Sequence, residues 1–171
     1  MKKTSIKYLI RVTISVIVLI LLDQVTKILA VAHLKDQPAI PLIRGVFELQ
    51  YLENRGSAFG MMQGARTFFI LSTIVLFVLV CVIYAWIPKE KKYLPLRVIA
   101  VLFLAGAAGN FIDRVHQGFV VDFFYFCLIN FPIFNVADIY VTTATIALIV
   151  FILFYYKEAD LERIFPKRKK N

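Results

Sequence analysis

The chain has 171 residues, 60% of them hydrophobic with 16 Phe, and a mean hydropathy of +0.77. That composition excludes an ordinary soluble domain, and the length suits one compact membrane bundle over residues 1–171. Twenty basic residues against 11 acidic ones give a net charge of +9. Their placement along the chain argues for membrane topology and anionic lipid contact, and against nucleic acid.

Lys2, Lys3, Lys7 and Arg11 precede an apolar run at 12–22 that continues past Asp23 and Lys27 to Ala32. A first span is expected at about residues 9–32, close to the about 20 residues that a membrane helix needs. A rival reading is a cleaved signal peptide, with Ala30-Val-Ala32 as the cleavage motif. The long segment holding Asp23 and Lys27 argues against it. Those two residues stand at i,i+4 with the acid first, the favourable order for a helical ion pair. They read either as a structural pair or as a contact holding loops in place.

Residues 33–66 form the first outer region. Within it Phe47, Leu49 and Tyr51 alternate with Glu48 and Gln50, the pattern of a short amphipathic strand. The strand breaks at Asn54-Arg-Gly-Ser-Ala-Phe-Gly60, whose glycines, Gly56 among them, permit close backbone approach. A second span is expected at about 67–88, a third at about 96–113 and a fourth at about 137–156. Lys89, Lys91, Lys92 and Arg97 fall between the second and third, and a basic tail through Lys167–Lys170 follows the fourth. The opposite side carries only Lys35, Arg44, Arg55, Arg66 and Arg114, so both termini are expected in the cytoplasm. The second outer region, 114–136, is rich in Phe and Tyr and suits the membrane boundary. Cys81 and Cys127 sit at different depths and are not expected to pair, and neither has metal-ligand spacing.

The acids near these outer edges carry the chemistry. A carboxylate in such apolar sequence is expensive unless paired, hydrated or used. Asn110 closes the third span, and a buried amide there needs partners. Arg114 could pair with Asp113, bind a lipid phosphate or grip a substrate carbonyl. Asn135 is a good N-cap for the fourth span, and Asp138 falls at the capping-box position, which would explain it without catalysis. Capping does not explain Asp122, whose plainer reading is an Asx-turn acid at a loop edge. One account covers both acids. Two carboxylates sharing a proton can work as general base and general acid on a peptide bond, with water as nucleophile.

At these residues the chain resembles lipoprotein signal peptidase, or signal peptidase II, a bacterial intramembrane aspartyl peptidase family. The resemblance runs through four separated motifs: Asp23-Gln-Val-Thr-Lys27; Asn54 to Gly60; Gly109-Asn-Phe-Ile-Asp-Arg114 with Val121-Asp122-Phe123; and Phe131-Pro-Ile-Phe-Asn-Val-Ala-Asp138. It implies an all-α membrane fold of four transmembrane helices, with a small extracytoplasmic β-sheet cradle and a short outer helix. It implies Asp122 and Asp138 as the catalytic pair. Asn54, Gly56, Asn110, Arg114, Asn135 and Ala137 would line or support the substrate site, while Asp23 and Lys27 would serve stability and function. The implied substrate is a diacylglyceryl-modified prolipoprotein, cut just before its lipidated cysteine. No metal or organic cofactor is implied, globomycin-type cyclic peptides are the expected inhibitors, and a monomer in the bacterial inner membrane is expected. The chain departs from the family pattern at Tyr125, where members often have an acid, and at Ile139, where a Ser is common.

Other classes fit less well. The histidines, His33 and His116, belong to no H-E-x-x-H motif, and no Ser sits in a nucleophile motif. A small proton-coupled transporter would use Asp23, Asp122 and Asp138 as relay carboxylates, but these acids cluster at one edge rather than at mid-depth. A non-catalytic assembly factor would leave the paired acids unused.

Overall fold

The computed structural model describes residues 3–56 and 64–165. Ser57–Gly60 of the loop motif, together with Lys2 and the tail Lys167–Lys170, lie outside the described residues.

Among the described residues four helices are long and apolar enough to cross a membrane by length and composition. They are α1 (Lys3–Leu34), α2 (Arg66–Trp86), α3 (Leu94–His116) and α4 (Val136–Phe154); a short α5 (Glu158–Glu162) follows. α1 and α3 overrun the expected spans at both ends, because their polar flanking turns remain helical. Arg114, expected in a loop, therefore lies in the last turn of α3.

α3 is the central helix, packing against α1, α2 and α4. Its small residues permit this. A Cβ on Gly106 would lie 2.5 Å from the Ala137 carbonyl oxygen and 2.7 Å from a Val141 methyl on α4. A Cβ on Gly109 would lie 2.5 Å from Asp23 Oδ2 on α1. Gly106 and Gly109 thus set how closely α4 and α1 approach α3, as small residues do where membrane helices meet.

A three-stranded antiparallel sheet caps one end of the bundle in the order β1 (Ile40–Ile43), β2 (Phe47–Asn54), β3 (Val120–Tyr125). Gly45, at φ 72°, allows the tight reversal between β1 and β2. The strand read from Phe47–Tyr51 is present and longer than expected. β3 corrects the reading of Asp122 as a loop-edge acid, since Asp122 sits within a strand. Val121 and Phe123 of β3 pack with Ala30 and Leu34 from the end of α1. After a 3-10 turn at Cys127–Ile129, the chain returns beside β3, where Phe134 bridges Phe124. That return carries Asn135 past Asp122 into α4.

At the opposite end the core is aromatic and aliphatic. Tyr93 and Tyr156 stack at 5.7 Å within a cluster containing Ile87, Leu96, Ile99 and Ile164. Cys81 and Cys127 are both free.

Candidate active site

Backbone pairing explains how Asn54 reaches Asp122. In the β2–β3 register Leu52 stands opposite Asp122 and Asn54 opposite Val120. Asn54 and Asp122 are therefore diagonal neighbours on one face, within reach of each other's side chains. Asn54 Nδ2 donates to Asp122 Oδ2 at 2.8 Å, and its own Oδ1 accepts from Gly56 N at 3.0 Å. The second Asp122 oxygen accepts from Asn135 Nδ2 at 2.6 Å.

Asn135 also caps α4. Its Oδ1 accepts from Asp138 N at 3.0 Å, and Asp138 Oδ2 accepts from Asn135 N at 3.1 Å, the capping box expected from the sequence. The other Asp138 oxygen accepts from Asn110 Nδ2 at 2.8 Å. One asparagine thus holds a strand carboxylate through its amide and a helix carboxylate through its cap. The two acids come from different elements and meet at one place.

Behind them lies a buried charge network. Lys27 Nζ stands 2.9 Å from Asp23 Oδ2 and 2.8 Å from Asp113 Oδ2, and donates to Asn110 Oδ1 at 2.9 Å. Asn110 Oδ1 also accepts from Asn135 Nδ2 at 3.1 Å. With its oxygen taken by these two donors, Asn110 must aim its NH2 at Asp138. Asp23 Oδ1 in turn accepts from Ala137 N at 2.9 Å, satisfying one free donor at the head of α4. The Asp23–Lys27 pair therefore does both things left open by the sequence: it is a structural i,i+4 pair, and it ties α1 to α3 and α4.

Two members of this network were not singled out as site residues by the sequence. Gln24 Nε2 donates to Asp113 Oδ1 at 3.0 Å, and bridges to Asp23 Oδ2 at 3.2 Å and the Gly109 carbonyl at 3.3 Å. Asp113 pairs with Lys27 rather than with adjacent Arg114. The signal available was a Gln beside Asp23, but its other partners, Gly109 and Asp113, lie more than 80 residues away.

Arg114 instead donates to the Gly56 carbonyl at 3.2 Å and lies over the Phe69 ring at 4.8 Å. Its guanidinium lines a cavity of about 570 Å³ together with Asn54, Asn110, Asp122 and Asp138. Phe126, Phe131, Phe134 and Ile139 supply much of the apolar wall. The cavity thus joins two carboxylates and one cation to a greasy lining.

The Asp122 carboxyl is pushed up to about 7. Burial is the main cause, and the charge of Asp138 adds to it; hydrogen bonds from Asn54 and Asn135 oppose the shift. A carboxylic acid that keeps its proton near neutral pH beside a second carboxylate can donate in acid–base chemistry. Among the described residues no group of His, Cys, Asp and Glu is arranged to hold a metal ion.

Comparison with known proteins places this site in context. The family model described as "Signal peptidase (SPase) II" matches residues 15–154. The lipoprotein signal peptidase of Clostridioides difficile is 41% identical over 140 residues, covering 82% of this chain and 93% of its own. That of Brevibacillus brevis is 48% identical over 126 residues, covering 73% and 83%. A bacterial membrane enzyme solved by the in meso method at 2.3 Å superposes with a TM-score of 0.71 at 30% identity, covering 94% of each chain. A second, at 1.9 Å, gives 0.72 at 32% identity, covering 85% of this chain and 94% of its own.

Proposed function

The chain belongs to the signal peptidase II family, and from that premise we propose that it is an aspartic endopeptidase cutting diacylglyceryl-modified prolipoproteins before the lipidated cysteine. The observation that carries this reading is Asn135, bonded at once to Asp122 and Asp138.

Chemistry follows from two carboxyl groups and one shared proton. The ionised carboxylate takes a proton from water, whose oxygen attacks the scissile carbonyl carbon. The neutral partner gives its proton to the carbonyl oxygen, forming a gem-diol. Collapse reverses the roles: the newly protonated acid protonates the leaving nitrogen, and the other takes a proton from the gem-diol. The C–N bond breaks and the pair returns to its starting charge, with no covalent intermediate. Asp122, high in pKa through burial and its neighbour, is the natural holder of the shared proton. Asn54, Asn110 and Asn135 fix the carboxylate rotamers, and Arg114, braced by Gly56 and Phe69, faces the substrate backbone. The Phe-rich wall suits the acyl chains of the modified cysteine, and Ala137 keeps the head of α4 tight against Asp23.

The basic-residue distribution supports an inner-membrane protein with both termini cytoplasmic and the carboxylates near the extracytoplasmic face. A monomer suffices, since one chain supplies every group named here, and globomycin-type cyclic peptides are expected to occupy the same cavity. The transporter reading gains no support from the acids, which gather at one end of the bundle.

The test is cleavage of a diacylated prolipoprotein by purified protein in detergent, followed as a mass shift. Asp122→Asn and Asp138→Asn should each lose about 10³-fold or more in turnover while remaining folded. Near-normal turnover in either variant, or equal rates on lipidated and unmodified substrate, would overturn the assignment.

A further inference from the structure

We propose that the bundle end opposite the carboxylates holds a specific site for one anionic glycerophospholipid, with its phosphodiester against Arg97 and Arg11. Its acyl chains would lie in two apolar clefts flanking the start of α1.

α1 and α2 both lean on α3, and space remains beside α1. A cleft of about 560 Å³ lies between α1 and α3, and a second of about 500 Å³ lies between α1 and α2. Tyr8, Val12, Tyr84 and Arg97 line both, so the clefts share one head. From there they run along residues 12–19 of α1 in one case and 12–17 in the other. The longer run spans about 10 Å at the helical rise, the length of the upper part of an acyl chain. The walls are chiefly Val, Leu and Ile.

The shared head is cationic. Arg97 is 8% exposed and donates to the carbonyls of Pro88 at 2.6 Å and Glu90 at 3.2 Å. Among the described residues it has no carboxylate partner, and neither does Arg11. The acid nearest in the chain, Glu90, commits its carboxylate to Arg163. Lys89 and Arg97 both lie over the Tyr8 ring, at 5.9 and 5.7 Å. Among the described residues no Asp or Glu lines either cleft. A buried guanidinium without an anion is costly, and basic pockets between membrane helices are sites where anionic head groups bind.

Charge also selects among occupants. A signal peptide begins with a basic stretch and would be repelled here. A role for Arg97 solely as a clamp on the Pro88–Glu90 turn would account for its two carbonyl bonds. It would not account for Arg11, the acid-free lining or the paired apolar clefts meeting at one cation.

The experiment uses the full-length protein, delipidated in detergent and mixed with phosphatidylglycerol or phosphatidylcholine of identical acyl chains, read by native mass spectrometry. Wild type should retain one phosphatidylglycerol in preference to phosphatidylcholine. Arg11→Gln and Arg97→Gln should each weaken that retention about ten-fold, the loss expected for one charge-assisted contact. Arg44→Gln, at the sheet end, should not. Among the described residues Arg11 makes no ion pair, so Arg11→Gln tests the site even if Arg97→Gln disturbs the turn. Equal retention of the two lipids by wild type, or an unchanged preference in Arg11→Gln, would overturn the proposal. The readout does not depend on peptidase activity.

Discussion

At the sheet end, Lys27 is 4% exposed and stands against two carboxylates, Asp23 and Asp113, that are 0% and 5% exposed. At the opposite end, Lys92 pairs with Asp160 at 2.5 Å and Arg163 pairs with Glu90, with Lys92 43% and Arg163 52% exposed. The same residue types therefore meet two solvents. Where water is excluded, each charge must be matched by fixed donors, and the matching dictates rotamers as far as Asn110 and Asp138. Where water and salt reach the pair, geometry is loosely determined and little energy depends on it. The sheet end holds a carboxyl group that keeps its proton up to about pH 7; the exposed end anchors.

The sharpest way to break this contrast is Lys27→Met. It leaves Asp23 and Asp113 buried without their cation, and removing one partner of a buried pair costs about 3–5 kcal/mol. Thermal unfolding in detergent should show that loss. Asn110 Oδ1 would also lose one of its two donors, keeping only Asn135 Nδ2, so turnover measured below the melting temperature should fall as well. A variant as stable as wild type would mean that the network is ornamental to folding.

Proton linkage at Asp122 sharpens the contrast next. Its folded-state pKa, about 7, stands above the ordinary 3.8. The folded protein therefore holds this proton more tightly than the unfolded chain. The associated stability is fully present below about pH 4 and is lost as pH rises through about 7. The proposed acid–base cycle needs one proton on the pair, so turnover should decline about ten-fold per pH unit well above 7. A pH–rate profile on the lipidated substrate checks it. Flat turnover from pH 6 to 9 would remove Asp122 as the proton donor.

Much of this site is legible in the sequence, and the exceptions have physical reasons. The Asn135–Asp138 box is local, four residues ahead of an apolar run, and so is the alternation from Phe47 to Tyr51. β3 is not, because Val120, Val121, Asp122 and Phe123 are all buried and the period-two pattern is erased. In the sequence Asp113 stands beside Arg114, but successive residues on a helix do not share a face. Its actual partner, Lys27, comes from another helix. Gly106 and Gly109 likewise gain meaning only when α4 and α1 arrive. The described residues that carry the family resemblance lie together at one end of the bundle, yet which amide holds which carboxylate is a tertiary fact.

The smallest effect is expected from Lys92→Gln. Asp160 would still accept from the Lys157 backbone N–H at 3.0 Å. The clasp around it would persist through the Tyr93–Tyr156 stack and the bond from the Tyr156 hydroxyl to the Lys92 carbonyl at 2.9 Å. Hydrogen bonding to Lys92 lowers the Asp160 pKa below its ordinary 3.8, so that contribution is present above about pH 4 and fades as pH falls through the folded value. The same bond raises Lys92 above 10.5, so its contribution is present below that pH and fades as pH rises through the folded value. At neutral pH both are in force, but Lys92 is 43% exposed and carries the pair to the surface beside a half-buried Asp160, where salt at about 0.15 M screens it. The melting temperature of the variant should match wild type at that salt. A clear drop that vanished in high salt would show that this exposed pair is as structural as the buried one, and the contrast between the two ends would fail.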